Sequence, residues 1–151
     1  MSKLFLISVV LLMLVLPVSC ILIEGHVTVM LAGKWFVFWA MGVRLLVAGL
    51  RQAIQPGFTA QQIFHIQDTG SHAVVRELGF ANICSGLLGM ASLWLPTWRM
   101  AAAAMGGLYY GLAAVMHVVK RPAGGNEWVA LVSDVFITIV LVVFLCFTWQ
   151  S

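Results

Sequence analysis

Arg44 stands inside an otherwise apolar run, residues 35–50, and Arg51 and Gln55 follow it on the same helical face at seven and eleven residues. A guanidinium at the centre of a lipid-spanning helix costs at least ~2.5–3.5 kcal/mol on insertion scales, so such charges pair inside the protein and usually mark a site or a pathway. Candidate partners lie at matching depth. At about 1.5 Å per residue, Asp134 falls roughly 10 Å below Glu127 and Arg44 about 15 Å below Ile54. Asn82 and Ser133 add neutral hydrogen-bonding groups to this layer, while Glu77, Arg51 and His117 form a second one nearer the helix ends. Arg44, Arg51, Glu77, Asn82, His117 and Asp134 are therefore the candidate ligand-binding or buried polar cluster. Two chemistries fit it: a polar pocket open to one side of the membrane, or an ionic staple that fixes helix register. His117 alone reads first as a helix-end dipole partner and only second as a ligand or proton relay.

Other reactive side chains narrow the chemistry further. His26, His65, His72 and His117 show no i,i+4 pairing, and no H-E-x-x-H or E-x-x-H occurs, so no metal site is assigned. Glu24 and His26 are two apart on a loop and carry little weight. Cys20, Cys84 and Cys146 each lie in an apolar stretch without a C-x-x-C pair, which reads as small packing residues. Neither a Ser/His/Asp order, nor a glycine-rich phosphate loop, nor a haem attachment sequence is present. No catalytic residue is assigned, and the chain reads as a non-enzyme.

Composition sets the elements that must position these residues. Of 151 residues, 62% are hydrophobic and 9% charged, and mean hydropathy is +1.05. A soluble domain is about 25% charged, so a water-facing shell cannot be built from this chain. The net charge of +3 comes from few, scattered groups and carries no basic run interleaved with aromatics, which excludes nucleic acid as a partner. Five stretches reach the ~20 residues a hydrocarbon core requires: residues 4–23, 34–54, 75–95, 99–119 and 128–149. Nothing alternates over ten residues, so the expected fold is all-α: a single transmembrane domain, 1–151, of five helices. The lipid bilayer is its first partner.

The first stretch, with Lys3 ahead of a Leu/Val-rich run, resembles a signal peptide. Leu16-Pro17-Val18-Ser19-Cys20 approaches a lipoprotein cleavage box, with Pro17 where a Leu-like residue belongs, and the stretch is read as a retained signal-anchor helix. Lys3, Arg51, Arg76, Lys120 and Arg121 fall on one side, against Lys34 and Arg99 on the other. The positive-inside rule then puts the N-terminus in the cytoplasm and the C-terminus outside, in a bacterial inner membrane. Trp35, Trp39, Trp94, Trp98, Trp128 and Trp149 sit mostly near the expected ends, as an aromatic belt does.

Residues 55–74 are too polar to cross. Pro56-Gly57 ends the preceding helix, and Thr59 with Gln62 forms a capping-box pattern ahead of a short helix, residues 60–67. Phe58, Ile63, Phe64 and Ile66 give it an apolar side, expected to rest at the membrane surface. Small residues set the seams: Gly79, Asn82, Gly86 and Gly89 share one face, and Gly107 and Gly111 form a G-x-x-x-G. These faces are expected to pack within the chain, with spans three and four joined by Pro96-Thr97-Trp98 as an antiparallel hairpin.

The run Gly42-Val43-Arg44 through Gly49-Leu50-Arg51-Gln52, ending in Pro56, resembles the first core helix of DoxX-like membrane proteins. Glu77-Leu78-Gly79-Phe80-Ala81-Asn82, followed by Gly86-Leu87-Leu88-Gly89, is similar to the acidic, glycine-rich second helix of that group. The resemblance covers roughly residues 34–119. It implies a four-helix core, here with an added N-terminal helix and a long 55–74 insertion. Some members of the group are subunits of quinone-linked oxidoreductases, so it also implies quinone as a candidate cofactor and an apolar pocket of quinone size. No cysteine redox pair accompanies it.

Together these readings describe an inner-membrane bundle acting as an accessory subunit or small-molecule binder, with a membrane-protein partner or a second copy as its company. The alternatives are a quinone-linked oxidoreductase subunit and a small proton-coupled transporter using His117 and Asp134.

Overall fold

A helix satisfies its own backbone N–H and C=O groups, which is why so apolar a chain folds into helices throughout. The structure, a computed structural model, describes residues 3–62, 66–122 and 124–149, and the regular elements among them are all helical. Helix α1 runs through Lys3–Val10, a π-helical stretch Leu11–Val15, and Leu16–Ile23. Helix α2 runs likewise through Val29–Phe36, a π-helical stretch Val37–Val43, and Arg44–Ile54. A short α3 covers Pro56–Gln62. Helices α4, Ser71–Ala91, α5, Arg99–Lys120, and α6, Gly125–Trp149, complete the chain. Among the described residues α1, α2, α4, α5 and α6 are long and apolar enough to cross a membrane.

Helix ends depart from the hydropathy reading for local reasons. Helix α2 starts at Val29 rather than residue 34, because Thr28 Oγ1 accepts a hydrogen bond from the Leu31 amide at 3.1 Å and caps it. Helix α4 starts at Ser71 and stops at Ala91, four residues ahead of the expected span at both ends. Proline explains two further features. Pro17 has no N–H and its ring crowds the Met13 carbonyl, and the π-helical stretch containing Met13 absorbs that clash. Pro56 ends α2 and also opens α3, where a missing N–H is harmless. The short helix is therefore Pro56–Gln62 rather than 60–67, and Thr59 is buried inside it instead of capping it. Ile63, Phe64, His65 and the Gln62 side chain of the expected capping box lie outside the described residues.

Helix α2 is the hub, touching α1, α4, α5 and α6. The closest pairs are α2 with α4 and α5 with α6, so the expected hairpin of spans three and four is a minor contact. Gly42 and Gly49 of α2 meet Gly79, Gly86 and Gly89 of α4 with backbone against backbone: a Cβ on Gly49 would lie 2.6 Å from the Gly79 carbonyl oxygen. The glycine face of α4 is thus an internal seam, as its spacing predicts. Val37, Ala40 and Met41 of α2 pack with Ala102 and Ala103 of α5 and with Ile137, Leu141 and Phe144 of α6 in the core. Outward faces are apolar too, with Leu108, Leu112 and Val119 exposed. Such all-round hydrophobicity suits an apolar solvent.

Candidate functional site

The polar residues inside the bundle come from four helices. Helix α2 contributes Arg44 and Gln52, α4 Asn82, α5 Tyr109, Tyr110 and His117, and α6 Asp134. Asn82, only 1% exposed, donates from Nδ2 to Gln52 Oε1 at 2.8 Å. Its place on the glycine face makes this unavoidable, since the tight α2–α4 seam brings the two amides together. Tyr109 stands against Asn82 as a further hydrogen-bonding group. Tyr110 Oη donates to the Ala40 carbonyl oxygen at 2.6 Å, in the middle of the π-helical stretch of α2. A π-turn displaces carbonyls from the regular ladder, and the tyrosine supplies the buried carbonyl with a side-chain donor.

Asp134 is 7% exposed. Its Oδ2 lies 3.8 Å from His117 Nε2, longer than a hydrogen bond. Thr138 Oγ1 donates to the Asp134 carbonyl at 2.7 Å and ties the next turn to it. The direct ion pair between Arg44 and Asp134 that their depths predict is not made. Instead the guanidinium carbon lies 5.9 Å from the Phe5 ring centroid on α1, and Arg44 Nε is buried without a hydrogen-bond partner. Arg99 Nε and His72 Nε2 share that state among the described residues, and a buried donor left unpaired costs on the order of 1–3 kcal/mol, more when charged.

The structure thus gathers four of the six residues selected from the sequence: Arg44, Asn82, His117 and Asp134. The other two lie elsewhere. Arg51 turns its guanidinium onto Phe58 of α3, 3.5 Å from the ring centroid. Glu77 is exposed, on the side of α4 away from the glycine face. Gln52, Tyr109 and Tyr110 escaped the sequence reading. A tyrosine pair in mid-span, away from the aromatic belt, was the available signal, because a buried phenol needs a partner.

Among the described residues no three His, Cys, Asp or Glu side chains gather so as to hold a metal ion, and His65 lies outside them. The cysteines are free. Cys84 and Cys146 are exposed rather than packed inside, and Cys20 Sγ accepts from Trp39 Nε1 at 3.4 Å.

A family model described as a family of unknown function matches residues 2–151. The chain belongs to the DUF6790 family. Comparison with curated proteins and with solved structures finds no match to it. In this DUF6790 chain the polar layer between Arg44 and Asp134 is the feature with chemical content.

Beside that layer runs an apolar groove of about 570 Å³ between α1 and α6. Its walls step along α1 through Leu6, Val10 and Leu14, and in the same direction along α6 through Trp128, Val132 and Phe136.

Proposed function

We propose that the chain is a multi-pass inner-membrane protein, N-terminus in the cytoplasm, that binds a small molecule at the Arg44 layer, acting on its own or as an accessory subunit of a larger membrane complex. The observation that carries this reading is the buried, unpartnered Arg44 Nε. A staple would close the Arg44–Asp134 pair to satisfy both charges; here they stay apart, which leaves the donor for an acceptor brought from outside. The site can hold a carboxylate, a phosphate or a carbonyl oxygen, with Tyr109 and Asn82 as neutral neighbours. A quinone, which the DoxX-like resemblance would add as a candidate, offers carbonyl oxygens of that kind.

Native mass spectrometry on protein purified in mild detergent tests the proposal. Wild type is expected to retain a small-molecule adduct that Arg44→Gln loses while remaining folded. A variant that keeps the same adduct, or a wild type that carries none and is merely more stable, would reduce the layer to a structural role.

The 3.8 Å approach of His117 to Asp134 favours one second reading, proton-coupled transport. In it, Asp134→Asn abolishes proton-driven uptake in liposomes.

A further inference from the structure

Three observations converge at one end of α1. Arg44 reaches across to the Phe5 ring with its Nε buried and unpartnered. Leu6, the next residue, opens the apolar groove between α1 and α6. Ser133 lines that groove, and its neighbour Asp134 faces the polar layer behind it. Phe5, which the Arg44 guanidinium meets, thus directly precedes the first groove-lining residue of α1.

Direction matters as well. Because α1 and α6 run the same way, the groove has one end at Leu6 and Trp128, level with Phe5 and Arg44, and another at Leu14 and Phe136, deeper in the apolar region. Over eight residues of helix the length is about 12 Å. A volume of about 570 Å³ falls within the ~300–1,000 Å³ typical of single-ligand sites. Its walls offer almost no polar group along the length, and Arg44 meets Phe5 at the level of one end. That is the complement of a single-chain amphiphile with an anionic head.

We propose that the α1–α6 groove admits a long-chain carboxylate from the surrounding lipid, its chain along Val10, Met13 and Val132 and its head turned past Phe5 onto the Arg44 guanidinium. This rests on the Arg44 layer being a ligand site and specifies the ligand class. The carboxylate supplies the acceptor that Arg44 Nε lacks, and a charge-assisted bond of that kind is among the stronger ones available. The apolar chain stays in an apolar medium throughout, so the head alone exchanges environments.

Spin-labelled stearate in phosphatidylcholine nanodiscs tests the geometry, with Trp128 as reporter and its signal defined as the difference between wild type and Trp128→Phe. Stearate labelled at carbon 5 should quench Trp128 saturably, and stearate labelled at carbon 16 should quench it much less. Arg44→Gln should weaken binding about tenfold, in line with a hydrogen bond to a charged group, and the methyl ester should bind comparably weakly to wild type. Val10→Phe, which narrows the groove, should also weaken the acid. Phe5→Ala guards against misfolding of that variant, because it leaves the groove open and should quicken binding. Linear, unsaturable quenching that is equal for acid and ester overturns the proposal, as does stronger quenching from carbon 16. Thermal protection by hexanoate separates the two levels. Hexanoate that stabilises wild type but not Arg44→Gln, alongside failed stearate binding, sinks the groove and keeps the polar site as a carboxylate site; failure of both acids sinks the groove proposal, and the polar site then stands or falls with the Arg44-dependent adduct.

Discussion

A methyl group added at Gly86, on the α2–α4 seam, would land 2.5 Å from the Leu46 amide nitrogen. Added at Gly111, on the α5–α6 seam, it would meet Thr138 Cγ2 at 3.5 Å, an ordinary contact. Both glycines belong to small-residue stripes of the kind that lets helices approach. In the first seam the opposing surface is backbone, which cannot turn aside. In the second it is the Thr138 side chain, which can turn aside. Tyr109, Tyr110, His117 and Asp134 all belong to the wider pair. The seam closed by backbone carries the neutral amide pair Asn82 and Gln52, whereas the α5–α6 pair carries His117 facing Asp134.

The largest expected effect breaks this comparison at its tight side. Gly86→Ala should cost about 3 kcal/mol, the upper end of overpacking penalties, read as a loss in thermal or denaturant stability in detergent. Gly49→Ala should behave alike, since its Cβ would lie 2.7 Å from the Ile83 amide nitrogen. If both variants matched wild type, the backbone contact between α2 and α4 would be disproved.

Next in size is the bond that joins the two pairs. Tyr110→Phe removes the donor to the Ala40 carbonyl and should cost ~1–3 kcal/mol, the penalty of leaving a buried group unsatisfied. The helical signal by circular dichroism should persist while the unfolding midpoint falls. An unchanged midpoint would mean that the π-helical stretch of α2 satisfies Ala40 without help from α5.

Depth along the chain was legible in the sequence; direction around each helix was only partly so. Hydropathy located five apolar helices because it reports the solvent. It misplaced the start of α2, which the Thr28 cap sets by a hydrogen bond, whereas Pro56 was visible and the expected end at Ile54 held. Asn82 could be placed because it shares a face with Gly79, Gly86 and Gly89. Glu77 is two residues from Gly79, about 200° around the helix, so that stripe already turned it away from the bundle. Arg51 shares a face with Arg44, yet its long stem carries the charge to Phe58, and no helical wheel shows that. The π-helical stretch in α2 has no proline to announce it, so the buried Ala40 carbonyl and its tyrosine could not be foreseen. The Arg44–Asp134 pair followed from depth alone and lacked the azimuth that keeps them apart.

The wide seam supplies the smaller, opposite effect. Gly111→Ala has room for its methyl and removes the flexibility of a mid-helix glycine, so it should stabilise the protein by up to ~1 kcal/mol. This outcome sharpens the contrast with Gly86, because the same substitution then changes sign between seams. A loss as large as that of Gly86→Ala would instead show that α5 and α6 are as close as α2 and α4.

The smallest effect lies outside both seams, at the turn between α1 and α2. Glu24 Oε1 accepts from Lys34 Nζ at 2.6 Å and from Trp35 Nε1 at 2.8 Å. The hydrogen bond from Lys34 holds the Glu24 carboxyl below its usual range, with Trp35 and the charges of Lys34 and His26 acting the same way. A carboxyl lowered in this way binds fewer protons folded than unfolded. Its contribution is therefore complete above the ordinary carboxylate range and disappears as pH falls through the lower folded value. Exposure and salt screening keep it small. Glu24→Gln should consequently lower the unfolding midpoint slightly near neutral pH, less in high salt, and not at all in strong acid, where the wild-type carboxyl is itself protonated. A gap between variant and wild type that persisted in acid would show that Glu24 acts through shape rather than charge. It would then be a packing residue, like the glycines of the α2–α4 seam.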